Sequence, residues 1–297
     1  MVIGVGKMVG AIVSAAVILS VFPGAAVSAF AQQSPKVEMQ ATEFHTLTAK
    51  DGMKYELSIA FPLQYDPASP QKYSVLYLTD ARGLFSVVAG EEQLLGLWQK
   101  IKPMILVGID VAAPSLVEGA SQRFVNLPPT RDLKREKELK EEYGKEIVTG
   151  KGERFRRDIV DEIIPWVEAR YPVTKERGLA GYSLGGLFTL HAMFASPGTF
   201  STYLVGDPSL YWDDKVTLKT ELEFSKKTKR LPAHVFLGFT EKGHGDHVGT
   251  VLTFIDALQE HSYEGLELEQ QLFLDETHES GIGAVFARGL TSLYGQK

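Results

Sequence analysis

The pentapeptide Gly181-Tyr182-Ser183-Leu184-Gly185 sets a serine hydroxyl between two glycines, each two residues away. It follows the strand-like run Arg177-Gly178-Leu179-Ala180 and opens an apolar helical run from Gly186 to Phe194. Strand, sharp turn and helix form the setting in which G-x-S-x-G makes a nucleophile elbow. Such a turn strains the serine backbone and crowds its neighbours, and the flanking glycines relieve the crowding. Ser183 would then stand at a helix N-terminus, where the Leu184 amide can meet an oxyanion. A Gly-rich turn with an ordinary serine cap is the plainer reading, and the flanking elements argue against it.

A serine hydroxyl needs a base, and the partners of an elbow serine follow it in the order acid, then histidine. His278 lies in the polar loop Leu274-Asp275-Glu276-Thr277-His278-Glu279-Ser280, between the last expected strand and the last expected helix. His234 opens a strand and His261 ends a helix, so neither is as well placed. The acid is expected after the strand 234–240, where Glu241 stands at the strand end and Asp246 lies in the following loop. Glu241 is preferred, because strand ends support catalytic side chains better than a loop with glycines at 243, 245 and 249. His244, Asp246 and His247 also crowd this loop, but a glycine loop gives metal ligands no defined scaffold, and no metal or other cofactor is assigned.

Alternating β and α patterns must position these groups. Residues 44–49 and 54–61 alternate around Asp51-Gly52, a hairpin signal. Runs 73–79 and 104–109 read as strands, the second as a buried parallel one, with a helix over 84–98 between them. From 110 to about 150 the pattern is irregular, and its charge-dense stretch 131–142 reads as a solvated helix face. Helices are expected over 153–170, 184–196, 213–227, 248–261 and from about 282, and strands over 176–182, 201–206, 234–240 and 266–274. The fold class is therefore α/β: a mostly parallel, twisted sheet with helices on both faces and an antiparallel N-terminal hairpin.

Composition narrows the function classes. The 297 residues contain no cysteine, which excludes disulfides, thiolate metal sites and cysteine nucleophiles. A net charge of −6 argues against nucleic acid or an anionic membrane surface as partner. Residues 1–31 carry Lys7, an uncharged run from Met8 to Phe22, and the small-x-small site Ala29-Phe30-Ala31. That run is short of the roughly 20 apolar residues of a membrane span. It reads as a signal peptide cleaved after Ala31, leaving residues 32–297 as one domain, periplasmic or secreted and not inserted in a membrane.

Several stretches together resemble the putative-esterase (esterase D-like) branch of the α/β-hydrolases, which includes enterobactin, bacillibactin and feruloyl esterases. They are the strand 75–80, Arg154-Phe155, the block Glu162 to Pro172, Leu179 to Leu187, Asp207 to Asp213, and Asp275 to His278. The resemblance implies an α/β-hydrolase fold, Ser183 as nucleophile, His278 as base and Glu241 as acid, with some members working as a Ser–His dyad. It also implies a second oxyanion amide at Ala81 or Arg82. Two departures lie near the expected cleft: Ala81 stands where a glycine commonly follows the aspartate, and Gly206-Asp207 where a serine usually precedes Pro-Ser.

Tyr182, Tyr211, Trp212 and Arg123 are candidate substrate-binding residues. The aromatics lie near the sheet's C-terminal edge, and Arg123 is expected on a loop after strand 104–109. These residues predict a serine carboxylic ester hydrolase working on a small-molecule ester. Alternatives are a periplasmic esterase of catecholate trilactone siderophores, and an acyltransferase that discharges the same acyl-enzyme onto an alcohol. A binding module on a hydrolase fold would not require Ser183 and His278.

Overall fold

Asp51 and Gly52 turn the chain between β1 (Thr42–Thr48) and β2 (Lys54–Ala60). Gly52 takes a φ of +88°, and the Asp51 carboxylate accepts the Met53 amide at 2.9 Å, so the turn is built by the two residues that marked it. The computed structural model describes residues 38–243 and 245–296, and those from Met39 onward form one compact unit. The signal-peptide segment lies outside the described residues.

β2 pairs antiparallel with β4 (Met104–Val111), and every later pairing is parallel. With β3 (Tyr73–Thr79), β5 (Val173–Tyr182), β6 (Thr202–Gly206), β7 (Arg230–Lys242) and β8 (Glu264–Thr277), the eight strands run in the order β1-β2-β4-β3-β5-β6-β7-β8. The pleat sends alternate residues to opposite faces. Tyr77, Leu179 and Val205 join one buried cluster with Phe155, Phe188 and Phe254, while Leu76, Leu78, Ala180 and Leu204 join another with Val88, Phe286 and Leu290. Helices α1 (Ala81–Leu97) and α9 (Ile282–Tyr294) cover the second face. On the first lie α4 (Gly152–Asp158), α6 (Leu184–Ala195), α7 (Trp212–Ser225) and α8 (His247–His261).

Two regions depart from the sequence reading. The stretch read as irregular contains α2 (Leu116–Asn126), while the charge-dense run read as a solvated helix face forms α3 (Leu133–Tyr143). Ser115 caps α2 by accepting the Glu118 amide, and Asp132 caps α3 by accepting those of Lys134 and Arg135. α3 buries only Leu139, as a solvated charged helix should. The helix expected over 153–170 is interrupted by a π-helical turn at Ile159–Ile163 before α5 (Ile164–Glu168). Pro165 follows immediately and has no N–H to continue the ladder. Among the described residues no helix is long and apolar enough to cross a membrane.

Candidate active site

Ser183 sits between β5 and α6 with φ 61° and ψ −118°, a conformation costly for any residue with a side chain. A Cβ on Gly181 would lie 2.3 Å from the Gly185 carbonyl, and one on Gly185 would lie 2.6 Å from Thr79 Oγ1. The strand, turn and helix therefore close on each other at a distance only these glycines permit. The Ser183 amide donates to the Gly206 carbonyl at 2.9 Å, which ties the turn to β6.

His278 follows β8 directly, in the loop before α9, and lines the same cavity as Ser183 and Tyr182. The Tyr182 hydroxyl donates to the His278 carbonyl at 2.6 Å, and the two rings lie 5.1 Å apart. Tyr182, expected to bind substrate, lines this cavity, and its hydroxyl also holds the histidine loop; burial raises its phenol above the ordinary range.

The carboxylate beside His278 is Asp207, not Glu241 or Asp246. Asp207 Oδ2 lies 2.5 Å from His278 Nδ1. Glu241 is exposed and accepts the Asp275 amide at 2.9 Å, while Asp246 is exposed at the start of α8. The pleat explains the miss: Thr240 turns inward and donates its amide and hydroxyl to Asp207, so its neighbour Glu241 must turn outward. Asp207 ends the apolar run of β6, the same sequence signal that had favoured Glu241. His247, noted only as a loop residue, is the first residue of α8 and reaches Asp207 Oδ1 at 2.6 Å. Burial would raise the Asp207 carboxyl, but the donors from His247, His278 and Thr240 outweigh it and hold it well below the usual carboxylate range. A carboxylate can only accept, so His278 Nδ1 carries the proton, and Nε2 is the acceptor nitrogen of the neutral ring.

The cavity holds about 420 Å³ between α1, α2 and α9, with Leu84, Leu116, Ala120 and Ile282 as apolar walls. Arg123 is on α2 rather than a loop, and it grips Asp80 with two bonds of 3.2 and 2.8 Å, the Asp80 charge raising its pKa. Arg82 pairs with Glu56 at 2.6 Å, and its backbone amide donates to Asp110. Asp110 is pushed up to about 7 by burial first and the Asp80 charge second. Trp212 is only 2% exposed and donates to the Thr130 carbonyl at 3.1 Å, which makes it core rather than a cavity wall. Tyr211 is 56% exposed and borders the smaller hollow containing Ser209, His247 and His278. Among the described residues no group of His, Asp and Glu could hold a metal, and His244 lies outside them.

The family model described as Putative esterase matches residues 49–230 of the chain. The ferri-bacillibactin esterase BesA of Bacillus subtilis is 27% identical over 259 residues, covering 84% of this chain and 88% of that one. The BES protein of Bacillus cereus superposes with a TM-score of 0.76 at 23% identity, over 89% of this chain and 100% of that one. An IroE-like serine hydrolase from Shewanella oneidensis gives 0.73 at 25% identity, over 85% and 80%.

Proposed function

Because this chain belongs to the Putative esterase family and is a carboxylic ester hydrolase, we propose that it works through an acyl-enzyme on Ser183. The observation that carries this reading is His278 locked by Asp207 beside a strained serine in one cavity. Ser183 Oγ attacks the ester carbonyl carbon and passes its proton to His278 Nε2. The carbonyl oxygen becomes an oxyanion, facing the Leu184 amide at the start of α6. Asp110 holds the Arg82 amide, which leaves that of Ala81 as the second donor. The C–O bond then breaks, and the leaving alkoxide takes the proton from His278. Water repeats the sequence: it gives its proton to His278 and its oxygen to the acyl carbon, and Ser183 leaves with the proton returned.

For the substrate we propose a siderophore ester, supported by the relative named as a ferri-bacillibactin esterase. The apolar walls of the cavity suit the aryl or acyl part of such an ester. We also propose export and cleavage after Ala31, on the strength of Lys7 and the apolar run that follows it. The deciding experiment compares wild type with Ser183→Ala on p-nitrophenyl acetate and on a catecholate trilactone, following products by chromatography. Both activities should vanish in the variant. Full turnover by Ser183→Ala would end the acyl-enzyme reading, and a wild type active only on the acetate would end the siderophore one.

A further inference from the structure

Asp207 is fully buried, and its two carboxylate oxygens take four donors. Oδ1 accepts the Thr240 amide at 2.7 Å and His247 Nε2 at 2.6 Å, while Oδ2 accepts the Thr240 hydroxyl at 2.9 Å and His278 Nδ1 at 2.5 Å. A carboxylate has about four lone-pair sites, so every one is used. His247 is itself only 6% exposed. It packs on Gly243, where a Cβ would come within 2.5 Å of the imidazole, so the chain leaves a side-chain-sized space for this ring.

We propose that His247 is a positioning residue that acts through Asp207, a role that rests on the acyl-enzyme reading. A carboxylate free to turn about its last bond would meet His278 over a range of angles. Thr240 holds Asp207 from β7, and His247 holds it from the start of α8 on the side away from His278. The two together fix the plane of the carboxylate, so that Oδ2 faces Nδ1. His247 donates through Nε2 and Asp207 only accepts, so the carboxylate keeps its negative charge. Asp207 can then stabilise the imidazolium that His278 becomes when it accepts the serine proton. The other polar side chains bordering the hollows beside His247 are Asp246 just before α8, Thr250 on α8, Tyr211 and Lys215 of the α7 start, and Ser209.

The test is a set of three substitutions. In His247→Gln the side-chain amide nitrogen takes the place of Nε2, in His247→Asn it falls short of Asp207, and in His247→Leu there is no donor. Leu and Asn should lower kcat by about 10- to 100-fold, the range set by one hydrogen bond to a charged group, with KM changed less than about twofold. Gln should recover kcat to within about threefold of wild type. A readout that needs no turnover is the proton NMR signal of the His278 Nδ1–H. It should stand at low field in wild type and in His247→Gln, and move upfield or exchange away in His247→Asn. Should His247→Leu not fold, the comparison of Gln with Asn decides alone. Equal kcat and an unmoved resonance in both would overturn the proposal. If Ser183→Ala keeps its activity while the resonance still responds to His247, the acyl-enzyme reading fails and the structural link from His247 to His278 stands.

Discussion

Replacing Asp207 with asparagine changes one oxygen to an NH2 group and almost no volume, yet the surroundings of this residue leave the amide no good orientation. Four donors converge on the carboxylate. If the new NH2 faces Thr240 and His247, two pairs of donors are set against each other in a fully buried place. If it faces His278 instead, Nδ1 must become the acceptor, and the ring proton moves to Nε2, the atom that has to receive the Ser183 proton. The second arrangement is the less costly, and it inverts the tautomer of the base. Loss of the negative charge adds to this, because no anion then faces the imidazolium. Inverting a triad histidine costs about three to four decades in kcat, or roughly 4–5.5 kcal/mol at the barrier. Glu241→Gln should change kcat less than about threefold, since that carboxylate only accepts the Asp275 amide at an exposed strand end. Initial rates on p-nitrophenyl acetate give kcat and KM for both variants, and circular dichroism melts confirm that each is folded. A folded Asp207→Asn within tenfold of wild type, or a Glu241→Gln that loses as much as Asp207→Asn, would refute the reasoning.

Other expectations follow from single contacts. Gly181→Ala should destabilise the protein by at least about 2–3 kcal/mol in urea unfolding, because its methyl would overlap the Gly185 carbonyl. The folded Asp110 carboxyl stands at about 7 against an ordinary 3.8, so stability is lost as pH rises from 3.8 through 7. Asp110→Asn keeps an acceptor for the Arg82 amide and should melt with wild type near pH 3.5 but several degrees above it at pH 8. Glu136, which takes Arg131 and the Thr149 amide and hydroxyl, has the opposite sign: held at about 2 against 4.5, it adds stability above 4.5 that fades as pH falls towards 2. Glu136→Gln should therefore flatten the acid side of a melting-temperature profile. N-terminal sequencing of the protein recovered from an export compartment should begin at Gln32.

Much of this architecture was legible because burial imposes periodicity. The strand 73–79 was read with its observed bounds, and the hairpin followed from Asp51-Gly52. Helix α2 was missed although Ser115 and Glu118 stand in capping positions, because two of its apolar residues, Leu116 and Val117, are exposed rather than packed in the core. In the site, the serine and histidine positions could be read because each occupies a junction that chain order defines. The carboxylate could not be read that way. Several strand ends offered an acidic residue near the same sheet edge, among them Asp80, Asp110, Asp207 and Glu241. Which of them meets His278 depends on pleat phase and strand order in space, and spacing along the chain carries neither. Trp212 shows the same limit, since a large aromatic at a strand end can cap the core as readily as line a cleft.

The strand that delivers His278 also lies at one edge of the sheet. β8 pairs only with β7, and no residue along Glu264–Thr277 is fully buried. Ser183 and Asp207, by contrast, hang from β5 and β6 in the interior. The base therefore rides on an edge strand with no fully buried residue, while its partners ride on strands inside the sheet. Fraying of an edge costs less than opening the whole fold. On warming, this enzyme should fall silent before it melts: amide exchange along β8 would accelerate first, and turnover would vanish while the central strands still resist exchange. Cooling would re-pair the strand and restore activity without any need to refold the core.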